Sequence, residues 1–186
     1  MTDDNIMKIL ALSKLFICIV LCVLLSACGF HLRGPVELPP GLNSLYIDSD
    51  QPYAPFEQAL RTNLEASNIN IVNSPSPEAA TLKILSRSLT TTLISISTNT
   101  LTTQYNITYT INYQLMDRKN NIIIPNASIG SSNTYSANNN QMLGAANQQN
   151  ALVDTLRANT VFLLMSRLGS KQVREAFITG KPSNAQ

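Results

Sequence analysis

The segment Gln104 to Leu115 constrains the fold most, because its side chains alternate in character without a fault. Polar uncharged residues occupy every second position, and large apolar or aromatic residues occupy the positions between them: Tyr105, Ile107, Tyr109, Ile111, Tyr113 and Leu115. Successive side chains of a β-strand point to opposite faces of its sheet. The segment therefore predicts a strand with one buried face and one wet face. We interpret the tyrosines as core residues rather than as a stack that binds a ligand.

The preceding segment predicts the first arm of a long hairpin. Residues 82–97 are rich in Leu, Ile and Thr, and residues 98–101 form the predicted tip. The alternation slips near residues 86–89, which indicates a β-bulge or an edge strand.

A strand, a helix and a second strand precede the hairpin. The apolar run Leu45-Tyr46-Ile47 predicts a buried strand over residues 44–48, and residues 69–72 predict another. Between them Phe56, Leu60 and Leu64 recur every four residues, which predicts an amphipathic helix over residues 54–66. This order normally gives parallel strands with a right-handed crossover.

The C-terminal part predicts one more strand and one long helix. After a polar turn at residues 117–121, residues 122–135 predict a strand broken at Pro125. Residues 141–168 carry apolar residues at helical spacing, and Gly169 is the predicted C-cap of that helix. The chain is therefore predicted to be an α+β two-layer sandwich, with two helices on one face of a mixed sheet of about four strands.

The N-terminus predicts secretion and lipid attachment. Lys8 and Lys14 precede an apolar run, Leu15 to Leu25, that is shorter than the about 20 residues needed to cross a bilayer. The sequence Leu25-Ser26-Ala27-Cys28 then resembles a bacterial lipobox, which implies that the chain is cut before Cys28 and that this thiol carries lipid. The alternative is that Cys28 is one more apolar residue of the signal.

These signals predict four segments along the chain. Residues 1–27 are a signal peptide that is removed, residues 28–43 a lipidated tether, residues 44–178 a single domain, and residues 179–186 a flexible tail. Removal of the signal leaves Cys28 as the only cysteine, so we expect no disulfide and no thiol nucleophile.

The composition argues against several classes of function. Charged residues make up 13% of the chain, against about 25% in an average protein, and Asn, Ser, Thr and Gln supply the remaining polarity. A nucleic-acid-binding protein needs a dense basic patch, so we expect no nucleic-acid partner. One hypothesis is that part of the surface faces the polar interior of another protein, and a compositional bias of the genome is the alternative.

The sequence offers little for catalysis. The single histidine, His31, lies on the predicted tether, whereas a catalytic triad holds its histidine inside a fold. Asp48 and Asp50 are spaced like carboxylates that bind a cation or transfer protons, as in a hydrolase, but Asp also favours turns. With no third ligand nearby we interpret the pair as a turn. We expect no enzyme activity, no metal and no cofactor besides the covalent lipid.

Four basic residues are candidates for contact with the phosphates of an anionic lipid. Lys83 and Arg87 lie on one predicted strand, and Arg118 and Lys119 lie in a turn that can approach it. Arg and Lys pair well with phosphate. Solvated surface charge is the alternative interpretation.

The string Cys-Gly-Phe-His-Leu-Arg-Gly at residues 28–34 closely resembles the mature N-terminus of the LptE family of lipopolysaccharide-assembly lipoproteins. The order of strand, helix, strand, hairpin and long helix agrees with that family. The resemblance implies a two-layer sandwich that plugs the lumen of the β-barrel protein LptD and helps it assemble.

The same resemblance implies a part in lipopolysaccharide transport to the cell surface, without catalysis. It also makes lipopolysaccharide the anionic lipid that Lys83, Arg87, Arg118 and Lys119 are candidates to contact. Gly29 after the lipidated cysteine resembles an outer-membrane sorting signal, and Thr98, Asn99 and Thr100 at the hairpin tip are candidates to face the barrel. A stand-alone lipopolysaccharide-binding lipoprotein of the periplasm is the alternative.

Overall fold

The computed structural model describes residues 36–97, 102–138 and 142–183. In these residues five strands form one mixed β-sheet, and three α-helices pack against it. The elements in chain order are β1 (Ser44–Asp48), α1 (Pro55–Ala66), β2 (Asn70–Val72), β3 (Ala80–Ser97), β4 (Thr102–Met116), β5 (Ile122–Asn138), α2 (Met142–Leu168) and α3 (Lys171–Thr179). The strand order is β2-β1-β3-β4-β5, with β1 parallel to both neighbours and the remaining pairs antiparallel. The predicted α+β sandwich is confirmed, with one more strand and one more helix than expected.

The alternation of β4 is confirmed and forms the centre of the core. Every second residue from Ile107 to Leu115 is buried, and the residues between them are not. Tyr113 is 1% exposed, and the ring of Tyr109 packs 6.1 Å from that of Phe56 on α1. Tyr105 is half-buried and stacks on Tyr135 of β5 with the ring centroids 5.3 Å apart. Tyr109 and Tyr113 are therefore core residues, as interpreted from the sequence.

Helix α1 buries the predicted face and ends at a specific cap. Phe56, Leu60 and Leu64 are all buried against the sheet. Asn68 adopts a left-handed conformation with φ 61°. The N–H of Ile69 donates to the carbonyl of Leu64 at 3.1 Å, and the N–H of Asn68 donates to that of Glu65 at 2.9 Å. This Schellman motif turns the chain directly into β2.

Two β-bulges interrupt β3, at Leu85 and at Ile94. The pairing with β4 skips one residue at each position. The sequence predicted an irregularity a little later, near residues 86–89. An inserted residue shifts the alternation of all residues after it, so the shift becomes visible in the sequence only beyond the bulge itself. Strand β1 pairs with β3 only from Ala80 to Lys83. Beyond Lys83, no described strand pairs with the outer edge of β3.

The predicted break at Pro125 is wrong, because β5 runs without interruption from Ile122 to Asn138. Its pairing with β4 shifts between Tyr113 and Leu115, opposite the proline. Proline is tolerated at bulges and on edge strands, where its missing N–H removes no ladder hydrogen bond. Strand β5 is an edge strand, because it is the last strand in the sheet order, so proline is tolerated in it.

The packed domain extends beyond the predicted boundaries at both ends. In the segment predicted as a tether, Pro39 and Leu42 are buried. In the segment predicted as a flexible tail, the N–H of Ser183 donates to the carbonyl of Ile123 at 2.7 Å. The ordered domain thus includes residues 36–43 and 179–183. The predicted signal peptide, Cys28 and the hairpin tip lie outside the described residues.

Helix α2 ends just before Gly169, as predicted, but this glycine does not take the left-handed conformation that many helix C-caps have. Among the described glycines only Gly180, which caps α3, has a positive φ, at 67°. A Cβ on Gly169 would lie 2.6 Å from Cγ1 of Val36 and 3.0 Å from the carbonyl oxygen of Glu37. The glycine is needed because the N-terminal segment crosses the end of α2 at close range.

Neighbouring residues of β4 give a direct test of its two faces. Ile111 is fully buried, so Ile111→Ala should lower the free energy of unfolding by about 2 to 5 kcal/mol. Thr110 points to the opposite face, and Thr110→Ala should lower it by about 1 kcal/mol or less, the range of strand propensities. Urea denaturation of both variants measures the difference. Equal losses would show that the faces are assigned wrongly.

Candidate partner-binding surface

The sheet face opposite the helices is covered by uncharged polar side chains over five consecutive cross-strand rows. We call this surface the polar face. On β4 its residues are Gln104, Asn106, Thr108, Thr110 and Asn112; on β3 they are Ser86, Ser88, Thr90, Thr92 and Ser95; on β5 they are Ser128, Gly130, Ser132, Thr134 and Ser136. The β3 and β5 members are solvent-exposed. No row contains a charged residue, although charged side chains normally cover an exposed sheet.

Hydrogen bonds connect some of these side chains across the strands. The amide of Asn112 donates to Oγ of Ser86 at 2.8 Å, and Oγ of Ser95 donates to Oε1 of Gln104 at 3.0 Å. Hydroxyl and amide groups both donate and accept. Moving them from water into a polar protein interface costs far less than moving charges, provided that the partner restores their hydrogen bonds. The polar face is therefore suited to burial against another polar surface.

The free edge of β3 carries exposed apolar side chains, which we call the apolar edge. Its members, with their exposed fractions, are Leu85 (40%), Leu89 (48%), Leu93 (50%), Ile94 (53%) and Ile96 (67%). Leu85 and Ile94 are the two bulged residues, whereas Leu89 and Leu93 lie opposite Tyr109 and Tyr105 of β4. Natural proteins protect long edge strands with charges or prolines. Between residues 84 and 97 the only charged residue is Arg87, and there is no proline.

Lys83 and Arg87 point to opposite faces of β3, because the bulge at Leu85 lies between them. Nζ of Lys83 lies 3.2 Å from a carboxylate oxygen of Asp48. The guanidinium of Arg87 forms ion pairs with Asp50 and Glu57 and donates to Oγ of Ser49 at 3.1 Å. Burial alone would lower the pKa of Arg87, but the hydrogen bonds and charges of the two carboxylates outweigh it and raise that pKa.

Glu57 is a buried charge that the sequence pattern does not reveal. It is 1% exposed, and its Oε1 accepts from Arg87 and, at 2.8 Å, from Ser49. Its Oε2 has no hydrogen-bond partner among the described residues. In the sequence, Glu57 is an ordinary acidic residue in the first turn of a helix. Only the distant pairing with Arg87 reveals its burial.

The structure separates the four predicted basic candidates. Lys83 pairs with Asp48, and Arg87 pairs with Asp50. Because each aspartate binds a different cation, the two carboxylates do not face each other as a catalytic pair. Arg118 and Lys119 lie in the turn after β4 and line a groove of about 770 Å³. In the described part of the chain, no group of three residues is arranged to hold a metal ion.

The predicted tip residues Thr98, Asn99 and Thr100 fall in the gap between β3 and β4, outside the described residues. They remain candidates for contact with a partner. Among the helices of the described segments, none combines the length and the apolar character needed to cross a membrane.

Residues 42–168 match the family model LptE, described as lipopolysaccharide-assembly. A protein from Pectobacterium atrosepticum named LPS-assembly lipoprotein LptE is 37% identical over 98 residues, which are 52% of this chain and 53% of that protein. The protein of the same name from Yersinia enterocolitica is 36% identical over 98 residues, which are 52% of this chain and 47% of that protein. The chain thus spans about half the length of these curated relatives.

Solved structures share the fold at low sequence identity. An uncharacterized lipoprotein B from Nitrosomonas europaea superposes with a TM-score of 0.61 at 21% identity, covering 81% of this chain and 93% of that chain. The rare lipoprotein B from Shewanella oneidensis gives a TM-score of 0.57 at 14% identity, covering 74% and 95%. These likenesses support the fold assignment.

Removing the cation that neutralises Glu57 should destabilise the domain. Arg87→Met leaves a buried carboxylate unpaired, so the free energy of unfolding should fall by about 3 to 5 kcal/mol. The double variant Arg87→Met/Glu57→Leu should recover most of that loss. Lys83→Met, which breaks an exposed pair, should cost about 0 to 1 kcal/mol. Urea denaturation compares the three, and equal losses for Arg87→Met and Lys83→Met would contradict the burial of this network.

Proposed function

The chain belongs to the LptE family of lipopolysaccharide-assembly proteins, and from this premise we propose that it is an outer-membrane lipoprotein that binds the β-barrel protein LptD. It plugs the lumen of that barrel and helps the barrel to assemble. The complex transports lipopolysaccharide and inserts it into the outer leaflet. In this proposal the chain acts by binding, and it needs no cofactor other than the covalent lipid on Cys28.

The polar face is the observation that carries the proposal. Fifteen positions on three strands form a surface without charge, and its members on β3 and β5 are solvent-exposed. The interior of a membrane β-barrel is polar, because its strands alternate lipid-facing apolar residues with lumen-facing polar ones. Hydroxyl and amide side chains match such a lumen without the cost of burying charges.

The apolar edge supports the same partner. Its exposed Leu and Ile side chains flank a strand whose outer backbone groups have no described partner strand. Such an edge favours aggregation unless a partner covers it. A protein that becomes enclosed by a barrel would have both the polar face and the apolar edge covered in the complex.

The family is one of lipopolysaccharide assembly and is not a family of enzymes, as the sequence analysis predicted. The structure adds no support for a hydrolase, because Asp48 and Asp50 each pair with a cation on β3. The stand-alone lipopolysaccharide-binding alternative depended partly on Lys83 and Arg87. Their engagement by carboxylates leaves that alternative with less support than the LptD complex.

New charges on the polar face should weaken the complex. Thr90→Glu and Ser132→Glu place a carboxylate on β3 and on β5, at exposed positions of the same row. Burial of an unpaired charge costs several kcal/mol, so each variant should lower the recovery of LptD with the tagged protein by about tenfold or more. Affinity purification from detergent-solubilised membranes measures this recovery.

Thr62→Glu is the matched control, because it adds the same charge at an exposed position of α1. It should leave recovery of LptD within about twofold of wild type, and thermal unfolding should show that all three variants remain folded. Full recovery of LptD with Thr90→Glu and Ser132→Glu would rule out the polar face as the contact surface.

The lipid anchor has its own test. If Cys28 carries lipid, Cys28→Ala should abolish the attachment of fatty acid to the protein, because the thiol that holds the lipid is gone. Metabolic labelling with a radioactive fatty acid, followed by affinity purification of the tagged protein, measures the lipid directly. Equal labelling of wild type and Cys28→Ala would disprove the anchor.

A further inference from the structure

A groove lies where the N-terminal segment, the turn after β4 and helix α3 meet. The groove is lined by residues 39–41, by the basic residues Arg118, Lys119 and Arg174, and by Phe177 and Ile178. We call it the basic groove. A Cβ on Gly41 would lie 2.3 Å from the ring of Phe177, so this glycine lets the N-terminal segment lie directly against α3. The walls of the groove are therefore held by close packing.

The groove carries an excess of positive charge. Arg118, Lys119 and Arg174 form no ion pair with any described residue. The acidic residue in the lining, Asp117, accepts hydrogen bonds from the backbone N–H groups of Lys119 at 2.7 Å and Asn121 at 2.8 Å. Desolvation would raise the pKa of Asp117, but these bonds, one from the Asn121 side chain and the charge of Lys119 outweigh it and lower that pKa. The carboxylate is thus held mainly by hydrogen bonds within its own turn, and three cations line the groove beside this one anion.

Apolar side chains stand beside these cations. Ile178 is 79% exposed, Phe177 is half-buried, and Pro40 is exposed. Long basic side chains next to exposed apolar groups are the composition of surfaces that lie at a membrane interface, where the apolar groups enter the acyl boundary and the cations meet phosphates. A groove that binds a fully polar ligand would not need an exposed isoleucine.

The position of the groove along the chain points to the same partner. Residues 39–41 line the groove, and Val36 packs against Gly169 close by. The proposed lipid on Cys28 is eight residues before Val36, and a chain of that length spans at most about 29 Å. The anchor therefore keeps Val36 within that distance of the bilayer, and the groove begins three residues further along the chain, at Pro39.

We propose that the basic groove is a membrane-docking site that binds anionic phospholipid headgroups of the leaflet carrying the anchor, with Ile178 inserted between the lipids. Arg118, Lys119 and Arg174 contact the phosphates, and the docking fixes the orientation of the tethered domain. This inference relies on the lipid anchor of the proposed function, and it is independent of the contact between the polar face and LptD.

The absence of other thiols allows a direct test with the lipidated full-length protein. Because the mature chain would have its one cysteine blocked by lipid, Ile178→Cys supplies a single site for an environment-sensitive fluorophore. The labelled protein is reconstituted in vesicles of phosphatidylcholine and phosphatidylglycerol in equal parts, or of phosphatidylcholine alone, each doped with a spin-labelled quencher lipid. Ser132→Cys on the polar face is the matched control site.

The fluorophore at position 178 should be quenched and blue-shifted in the anionic vesicles, and the one at position 132 should not. Quenching should disappear in phosphatidylcholine and at 1 M salt, where the Debye length falls to about 3 Å. It should also disappear with Arg118→Gln/Lys119→Gln, and persist with Arg61→Gln/Lys83→Gln, which removes the same net charge elsewhere.

Each failure identifies its own cause. A protein that does not co-float with either vesicle lacks the anchor, which contradicts the proposed function. A protein that co-floats but shows no quenching at position 178 in anionic vesicles contradicts the docking site. Quenching that appears only when lipopolysaccharide replaces phosphatidylglycerol also overturns the proposal and assigns the groove to lipopolysaccharide.

Discussion

The strict alternation of β4 is the constraint on which the rest of the structure depends. As the central strand of the β3-β4-β5 ladder, it sends every second residue from Ile107 to Leu115 into the core. A register slip of one residue would exchange the two faces and bury the uncharged polar side chains. The burial of Phe56 against Tyr109, and of α2 against β4 and β5, follows from that register. The polar face follows from the same alternation, because the β4 residues between the buried ones point to the opposite side of the sheet.

The parts of the fold that depend on local periodicity could be predicted from the sequence, and those that depend on distant contacts could not. The alternation in β4 and the spacing of Phe56, Leu60 and Leu64 specified a strand and a helix correctly. No residue type marks the position of the bulge at Leu85 in the sequence. The face of the sheet on which Arg87 lies could therefore not be predicted. Glu57 likewise shows its burial only through a partner 30 residues away. The role of Gly169 depends on Val36, at the other end of the domain.

The two surfaces singled out by the structure lie toward opposite ends of β4. The polar face reaches from Asn112 to Gln104, toward the hairpin tip, whereas the basic groove begins at the turn that follows Met116. Their chemistry differs accordingly. The polar face has no charge and suits burial in a polar lumen, while the groove combines cations with an exposed isoleucine and suits a lipid surface. In the two proposals made above, one sheet engages a barrel at one end and a membrane at the other.

Site-specific photo-crosslinking from the polar face tests the central claim most directly. A photoreactive amino acid replaces Thr108, at the middle row of the polar face on the central strand, and the protein is expressed in cells with LptD at its natural level. The account predicts a covalent adduct with LptD after irradiation, and no adduct without it. A complex that co-purifies with LptD intact but gives no adduct from position 108 would contradict the claim that the polar face contacts the barrel.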